Sequence, residues 1–515
     1  MSSAQRALVG ALLGALIVIL LHPSARPFLL QGAIFFGPSA GLRQSTALPE
    51  NLATLPDPQS PQTGALTLLV AAERLNAKKS LSQDQVLLMI EICQAAGEAE
   101  PDNAFWRQME SVFQSLQDNE EAAKRAWARG SLAQDFNDYQ VARLQSVVTS
   151  LAKDANGNFA WHIGVALSKK STANAALISD HAQQLVTEFQ DIQDMRMLSS
   201  TVRNGRLLRD GARAVPAAEL GSKIINIVPG GTLTTPASPR QSVENRNAFL
   251  TKLSREGLAQ EFEVSSDAFT SDDAWHALIP NTASLFRRDT LRHSVASATF
   301  PGAMVLAGFA SAVVAILGAM IGKRHDVQKF IQKWLPSLGI VLGVSVYFMT
   351  GLVFPAIWTT IVLAGFAVAP KRLLPTVPKR LGLGFDLSQS ILSGMGACFL
   401  VAYFMTSSMA ASTLGDALQL PSSLKPASPV MLAWALLSVS FSLATSQVWA
   451  FLNNRRSAPV AGIGLVRFGA TAAVACIIIG IASTPLMIAW DKELSETLTR
   501  LFRNEPGFYF NRNPS

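Results

Sequence analysis

The sequence predicts an all-α protein in three parts: an N-terminal membrane anchor, an extracytoplasmic α-helical domain, and a C-terminal polytopic helical membrane bundle of about six spans. Three observations carry this expectation. Apolar runs of bilayer-crossing length crowd the chain after Pro301, the stretch before it repeats apolar residues three and four apart, and basic residues gather in alternate loops between the apolar runs. At 515 residues the chain exceeds the usual single domain, and its 15 % of charged residues falls short of the roughly one quarter of ordinary soluble proteins. The missing charge is missing from the C-terminal third.

Residues 1–43 form the expected anchor and interfacial segment. Ala7 to Leu21 is apolar behind a short polar start, and Phe28 to Phe36 is a second apolar patch. The sequence His22-Pro23-Ser24-Ala25-Arg26 lacks a small-x-small cleavage site, which favours a retained anchor over a cleaved signal peptide.

Residues 44–215 read as a soluble helical domain, with Phe105, Met109, Val112, Phe113 and Leu116 on one helical face. Residues 216–241, rich in Pro, Gly and hydroxyl side chains, read as a linker, and 242–300 as a helical juxtamembrane segment. The membrane domain is expected over 301–490, with apolar runs at 302–322, 335–351, 354–369, 385–407, 428–452 and 465–489, and a tail over 491–515. Leu335 to Ala369 carries no charge and as one helix would be about 50 Å long, so it divides at Gly351 to Pro355 into two short spans.

That division puts Lys323, Arg324, Lys329 and Lys333 on one loop, Lys371, Arg372, Lys379 and Arg380 on another, and Arg455 with Arg456 on a third, while the intervening loops hold only Lys425. The positive-inside bias then places these three loops and the N-terminus in the cytoplasm, and the helical domain and tail outside the cytoplasmic membrane. The net charge of +7 has the same origin. Residues 44–300 carry 24 Lys plus Arg against 29 Asp plus Glu, a net of −5, whereas the rest carries 19 against 7. Basic side chains sit around the spans and not on a soluble face, which excludes nucleic acid as a partner and leaves the lipid bilayer as the first one.

Ala126-Trp127-Ala128-Arg129-Gly130 is echoed 34 residues later by Ala160-Trp161-His162-Ile163-Gly164, and one further step back lands on Cys93 and Ala96. This spacing resembles the tetratricopeptide (TPR) repeat family. The resemblance makes Cys93, Trp127, Gly130, Trp161 and Gly164 repeat-packing positions. It implies stacked helix pairs with a concave protein-binding surface. A plain helical bundle with a coincidental echo is the alternative.

The motifs that carry chemistry are thin. Gly37-Pro38-Ser39-Ala40-Gly41 has the letters of a nucleophile elbow without the strand and helix that strain such a serine, and reads as an interfacial turn. Gly318 to Lys323 is one residue short of a phosphate loop and reads as a helix end. The six histidines have no metal-ligand spacing. A Cys93 pair with His162 or His181 stays open as a nucleophilic arrangement, and no catalytic group, metal or cofactor is assigned. Ionisable groups in lipid are costly, so Asp386, Gln389, Gln447 and Arg467, all near the cytoplasmic end of their spans, form the candidate intramembrane polar cluster, with snorkelling into headgroups as the alternative for the two charges. The expected function is a membrane-anchored scaffold or assembly protein holding a protein partner on its helical domain. The alternatives are a permease or export component and a membrane enzyme without a recognisable motif.

Overall fold

The computed structural model describes residues 60–154, 171–230, 239–279, 283–323, 353–364, 381–411 and 427–512, with isolated positions at 21, 160, 163, 164 and between 340 and 348. These residues are almost entirely helical, and no β-strand occurs among them. The chain divides into two compact units, one of Gln44–Leu151, Ala166–Thr290 and Glu496–Ser515, the other of Met1–Arg43, Ala152–Val165 and Leu291–Ser495.

The first unit contains α1 (Pro61–Asn76), α2 (Gln83–Ala99), α3 (Ala104–Ser115) and α4 (Glu120–Gly130). Each starts on a side-chain cap that satisfies an otherwise orphaned backbone N–H. Ser60 and Ser82 form capping boxes with Thr63 and Gln85, and Asn103 and Asn119 cap the next two. Consecutive helices pack in order, and Phe105, Trp106, Phe113, Trp127 and Phe136 are fully buried between them, Phe105 meeting Trp106 and Phe136 edge-on at 4.9 and 5.8 Å. After α5 (Gln140–Asp154) come α6 (Ala173–Asp191) and α7 (Met195–Gly211), which pack against each other and back on α3.

The expected linker over 216–241 is corrected here: its first part is α8 (Val215–Gly230), a helix with Ile224, Ile225 and Val228 buried, while 231–238 lie outside the described residues. The prolines that read as breakers sit at its ends: Pro216 falls in the first turn, where its missing N–H costs little, and Pro229 falls in the last, where the helix stops one residue later. Helix α8 crosses α7 where a Cβ on Gly221 would meet the Arg209 backbone nitrogen at 2.4 Å, so only glycine fits. Nor is 242–300 simply juxtamembrane. Its helices α9 (Pro239–Arg255) and α10 (Ala259–Leu278) pack on α8 and on each other, and α10 also packs on α7, so both belong to the core of the first unit.

The second unit contains most of α11 (Ala283–Lys323) and α15 (Ser457–Arg503), together with α12 (Val353–Ala364), α13 (Leu383–Ala411) and α14 (Ala427–Leu452). Among the described residues, helices α11, α13, α14 and α15 contain four stretches that are long and apolar enough to cross a membrane. They coincide with four of the six expected runs. Of the other two, 335–351 lies largely outside the described residues, and 354–369 is described only through the 12-residue α12. The anchor and the basic loops at 324–333 and 371–380 also lie outside them.

Sidedness in this unit is inverted relative to a soluble core. Ile316, Leu317, Leu387, Ile391, Val448, Phe451 and Leu486 are exposed, while Gln389, Ser438, Ser442, Ser446 and Ser311 are buried. Lipid gives no hydrophobic reward for burying apolar chains, so small and polar residues face inward. Helices α11 and α15 meet through glycine: a Cβ on Gly462 would fall 2.5 Å from the Gly322 nitrogen, and one on Gly469 2.4 Å from the Ser311 carbonyl oxygen.

The expected tail over 491–515 is also corrected. Helix α15 runs to Arg503, and α16 (Glu505–Arg512) packs on α8. The Glu505 carboxylate accepts from Arg287 and from the Val215 backbone, and the Tyr509 hydroxyl donates to the Ala283 carbonyl at 2.9 Å. Replacing Gly221 with valine is expected to destabilise the first unit by about 3 kcal/mol, read as a lower urea midpoint in protease-monitored unfolding of the detergent-solubilised chain. Gly462→Leu should lower the detergent thermal midpoint, leaving the helix content of the folded fraction near that of wild type.

Candidate functional site

The candidate intramembrane cluster is built by α13, α14 and α15, with Asp386 and Gln389 on α13, Gln447 on α14 and Arg467 on α15. Asp386 and Arg467 form an ion pair, and the guanidinium lies 5.8 Å from the centre of the Phe385 ring. The structure does not bring all four residues together. Gln389 is buried and donates to the Thr445 hydroxyl at 2.9 Å and to the Ser442 carbonyl, joining α13 to α14, whereas Gln447 donates to the Val362 carbonyl of α12 at 2.8 Å. The four residues thus make three separate helix-to-helix ties.

In the first unit Cys93 and Trp127 are fully buried. Trp127 donates its indole N–H to Thr201 of α7 at 2.9 Å and faces His181 edge-on. Gly130 ends α4 against Asn204, whose amide donates to the Trp127 carbonyl at 2.9 Å. Gly164 is buried in the other unit, and Trp161 and His162 lie outside the described residues.

The Cys93 and His181 nucleophilic pair is not assembled. Burial pushes the Cys93 thiol well above its ordinary range, and the Glu110 carboxylate adds to the push, so the reactive thiolate is disfavoured. His181 Nε2 instead lies 2.7 Å from the Ser111 hydroxyl, whose proton goes to the Ala123 carbonyl. Desolvation lowers the His181 pKa to about 4, against a smaller opposing effect from Gln184, and keeps the ring neutral.

Sequence reasoning missed the most polar place in the domain, the carboxylate of Asp272, which is wholly buried on α10. It accepts from Arg209 of α7 at 3.2 Å, Ser222 of α8 at 2.6 Å, Asn226 of α8 at 2.9 Å and Arg246 of α9 at 3.3 Å. Ser222 also lies 2.9 Å from His276 Nε2, so serine, histidine and aspartate are all present. Their geometry is not that of a hydrolytic relay. Serine bonds the carboxylate directly, and the same imidazole nitrogen faces both partners, with Asp272 at 3.8 Å, so the ring cannot pass a proton from one to the other. No spacing in the sequence marks Asp272, because its partners lie 26 to 63 residues away.

This unit also carries open surface features, one of about 700 Å³ lined by Phe286, Arg500, Arg503 and Phe508 among others. A groove of about 330 Å³ runs between α1 and α2, lined by Gly64, Leu88, Glu91, Ile92, Ala95 and Ala99 among others. Among the described residues no group of three His, Cys, Asp or Glu side chains gathers in metal-binding range. No family model, curated protein or solved structure matches the chain.

Removing the Asp272 carboxylate takes the shared acceptor from Arg209, Ser222, Asn226 and Arg246, although Arg209 keeps Asp210 and Ser271. Asp272→Ala is therefore expected to cost about 3 kcal/mol of stability in denaturant titration. The His181 prediction is one of pH. Its folded pKa of about 4 lies below the ordinary value of 6.5, so the unfolded chain takes up the proton first as pH falls. Stability present above pH 6.5 is therefore lost toward pH 4, by about 3 kcal/mol, and the difference between wild type and His181→Gln across that window measures it.

Proposed function

We propose that the chain is a membrane-anchored scaffold or assembly protein that holds a protein partner on its helical domain, outside the cytoplasmic membrane. The observation that carries this reading is the α1–α2 groove. It is apolar and open, while Cys93, His181, Ser222 and Asp272 are committed to packing and internal hydrogen bonds. Successive packing of α1 to α4 is what stacked repeat pairs require, and supports a tetratricopeptide-like domain. The alternate basic loops support the assigned orientation, with the N-terminus inside.

The permease or export reading draws on a different observation, the buried Gln389, Ser442 and Ser446 and the Asp386–Arg467 pair within the bundle. Alanine at Asp386 or Arg467 separates the two. Partner capture from gently solubilised membranes should survive both substitutions, whereas loss of uptake or export with capture intact would favour transport. Recovery of the chain always alone at native abundance would sink the scaffold reading. A reporter inserted after Gln241 should be active only outside the cytoplasm.

A further inference from the structure

Helix α2 has one face with no partner among the described residues. It contains no Lys or Arg. Asp84, Glu91 and Glu98 recur every seven residues, all exposed, and none enters an ion pair among the described residues. Seven residues is two helical turns, so the three carboxylates form a stripe about 21 Å long.

Beside that stripe, Leu88, Ile92, Ala95 and Ala99 line the groove at spacings of four, three and four, with Gly64 of α1 on the opposite wall. Leu87 and Leu88 are 44 % and 42 % exposed. Gly64 is packed against Ile92, while the exposed Ala95 and Ala99 let a second backbone come close and leucine supplies a knob, which is how one helix seats another. We propose that this face docks a basic amphipathic helix of a protein partner, its apolar side in the groove and its Lys or Arg residues, seven apart, against Asp84, Glu91 and Glu98. This rests on the scaffold reading above and gives the partner its chemistry.

Charge decides between occupants. The segment 44–59 of the chain has two acidic residues, three prolines and no Lys or Arg, so it is wrong in charge and in helical propensity. A second copy pairing through the same face would set one acidic stripe on another. A basic helix satisfies both the apolar strip and the carboxylates.

The test uses the full chain in phosphatidylcholine nanodiscs and a fluorescent probe peptide of about 21 residues, with Leu and Ala on one face and Lys at every seventh position. Its twin carries Glu in place of Lys. The Lys peptide should bind above empty nanodiscs, weaken as salt rises, and lose roughly tenfold in affinity with Leu88→Glu and with the Glu91→Lys, Glu98→Lys double variant. The Glu twin should not bind. Equal binding of the twins, or indifference to both variants, overturns the proposal. If Leu88→Glu lowers the thermal midpoint, Glu91→Gln with Glu98→Gln on the exposed stripe decides instead. A native partner captured equally by wild type and the double Lys variant would reject this surface while leaving the scaffold reading standing. No native partner with wild type would reject the scaffold itself, and the peptide titration would still judge the surface.

Discussion

A buried carboxylate that must be neutralised is the constraint around which the helical unit is organised. Asp272 has no access to water, and its charge is tolerable only because Arg209, Ser222, Asn226 and Arg246 supply donors from three other helices. Four helices are thereby held in one relative arrangement. The same geometry forces α7 and α8 close, and the Gly205 and Gly221 contacts exist because the backbones that carry Arg209 and Ser222 nearly touch. Hydrophobic packing surrounds this polar centre, whose hydrogen bonds are satisfied only when the four helices meet in this arrangement.

The membrane-spanning unit solves a different problem with related means. Without a hydrophobic reward for association, its helices rely on close backbone approach and on polar ties across contacts. Glycines at 318, 462 and 469 let α11 and α15 approach, and Gln389, Gln447 and the Asp386–Arg467 pair tie α12 to α15 in successive pairs. Each tie satisfies a group that hydrocarbon would punish, which accounts for these residues without any transport chemistry.

In the helical domain the reactive residue types are spent inside the fold. His181 is held neutral against Ser111, and Glu100, whose burial works against its charge, is kept below the usual carboxylate range by hydrogen bonds from Trp106, Tyr139 and Asn103. Such groups specify structure. Outward, α2 presents an apolar strip bordered by carboxylates, the combination of shape and charge on which the proposed docking of a basic helix rests.

The amino-acid sequence determined by itself the helical class and four of the apolar stretches, because a bilayer sets the length of a span and a helix sets the period of its apolar face. It also named Cys93 and Trp127, which the fold buries, and Asp386 and Arg467, which the fold pairs. It misled at 216–241, where proline and glycine suggested a linker, since a proline in the first turn of a helix and one in the last look the same as two breakers. Only the tertiary structure decided that Gln389 and Gln447 tie different helix pairs, that Cys93 and His181 do not meet as nucleophile and base, that residues 496–512 close onto the helical unit, and that Asp272 lies at its centre. Contacts between residues tens or hundreds of positions apart leave no local period, and the energy of a buried charge depends on neighbours that the chain brings together only when it folds.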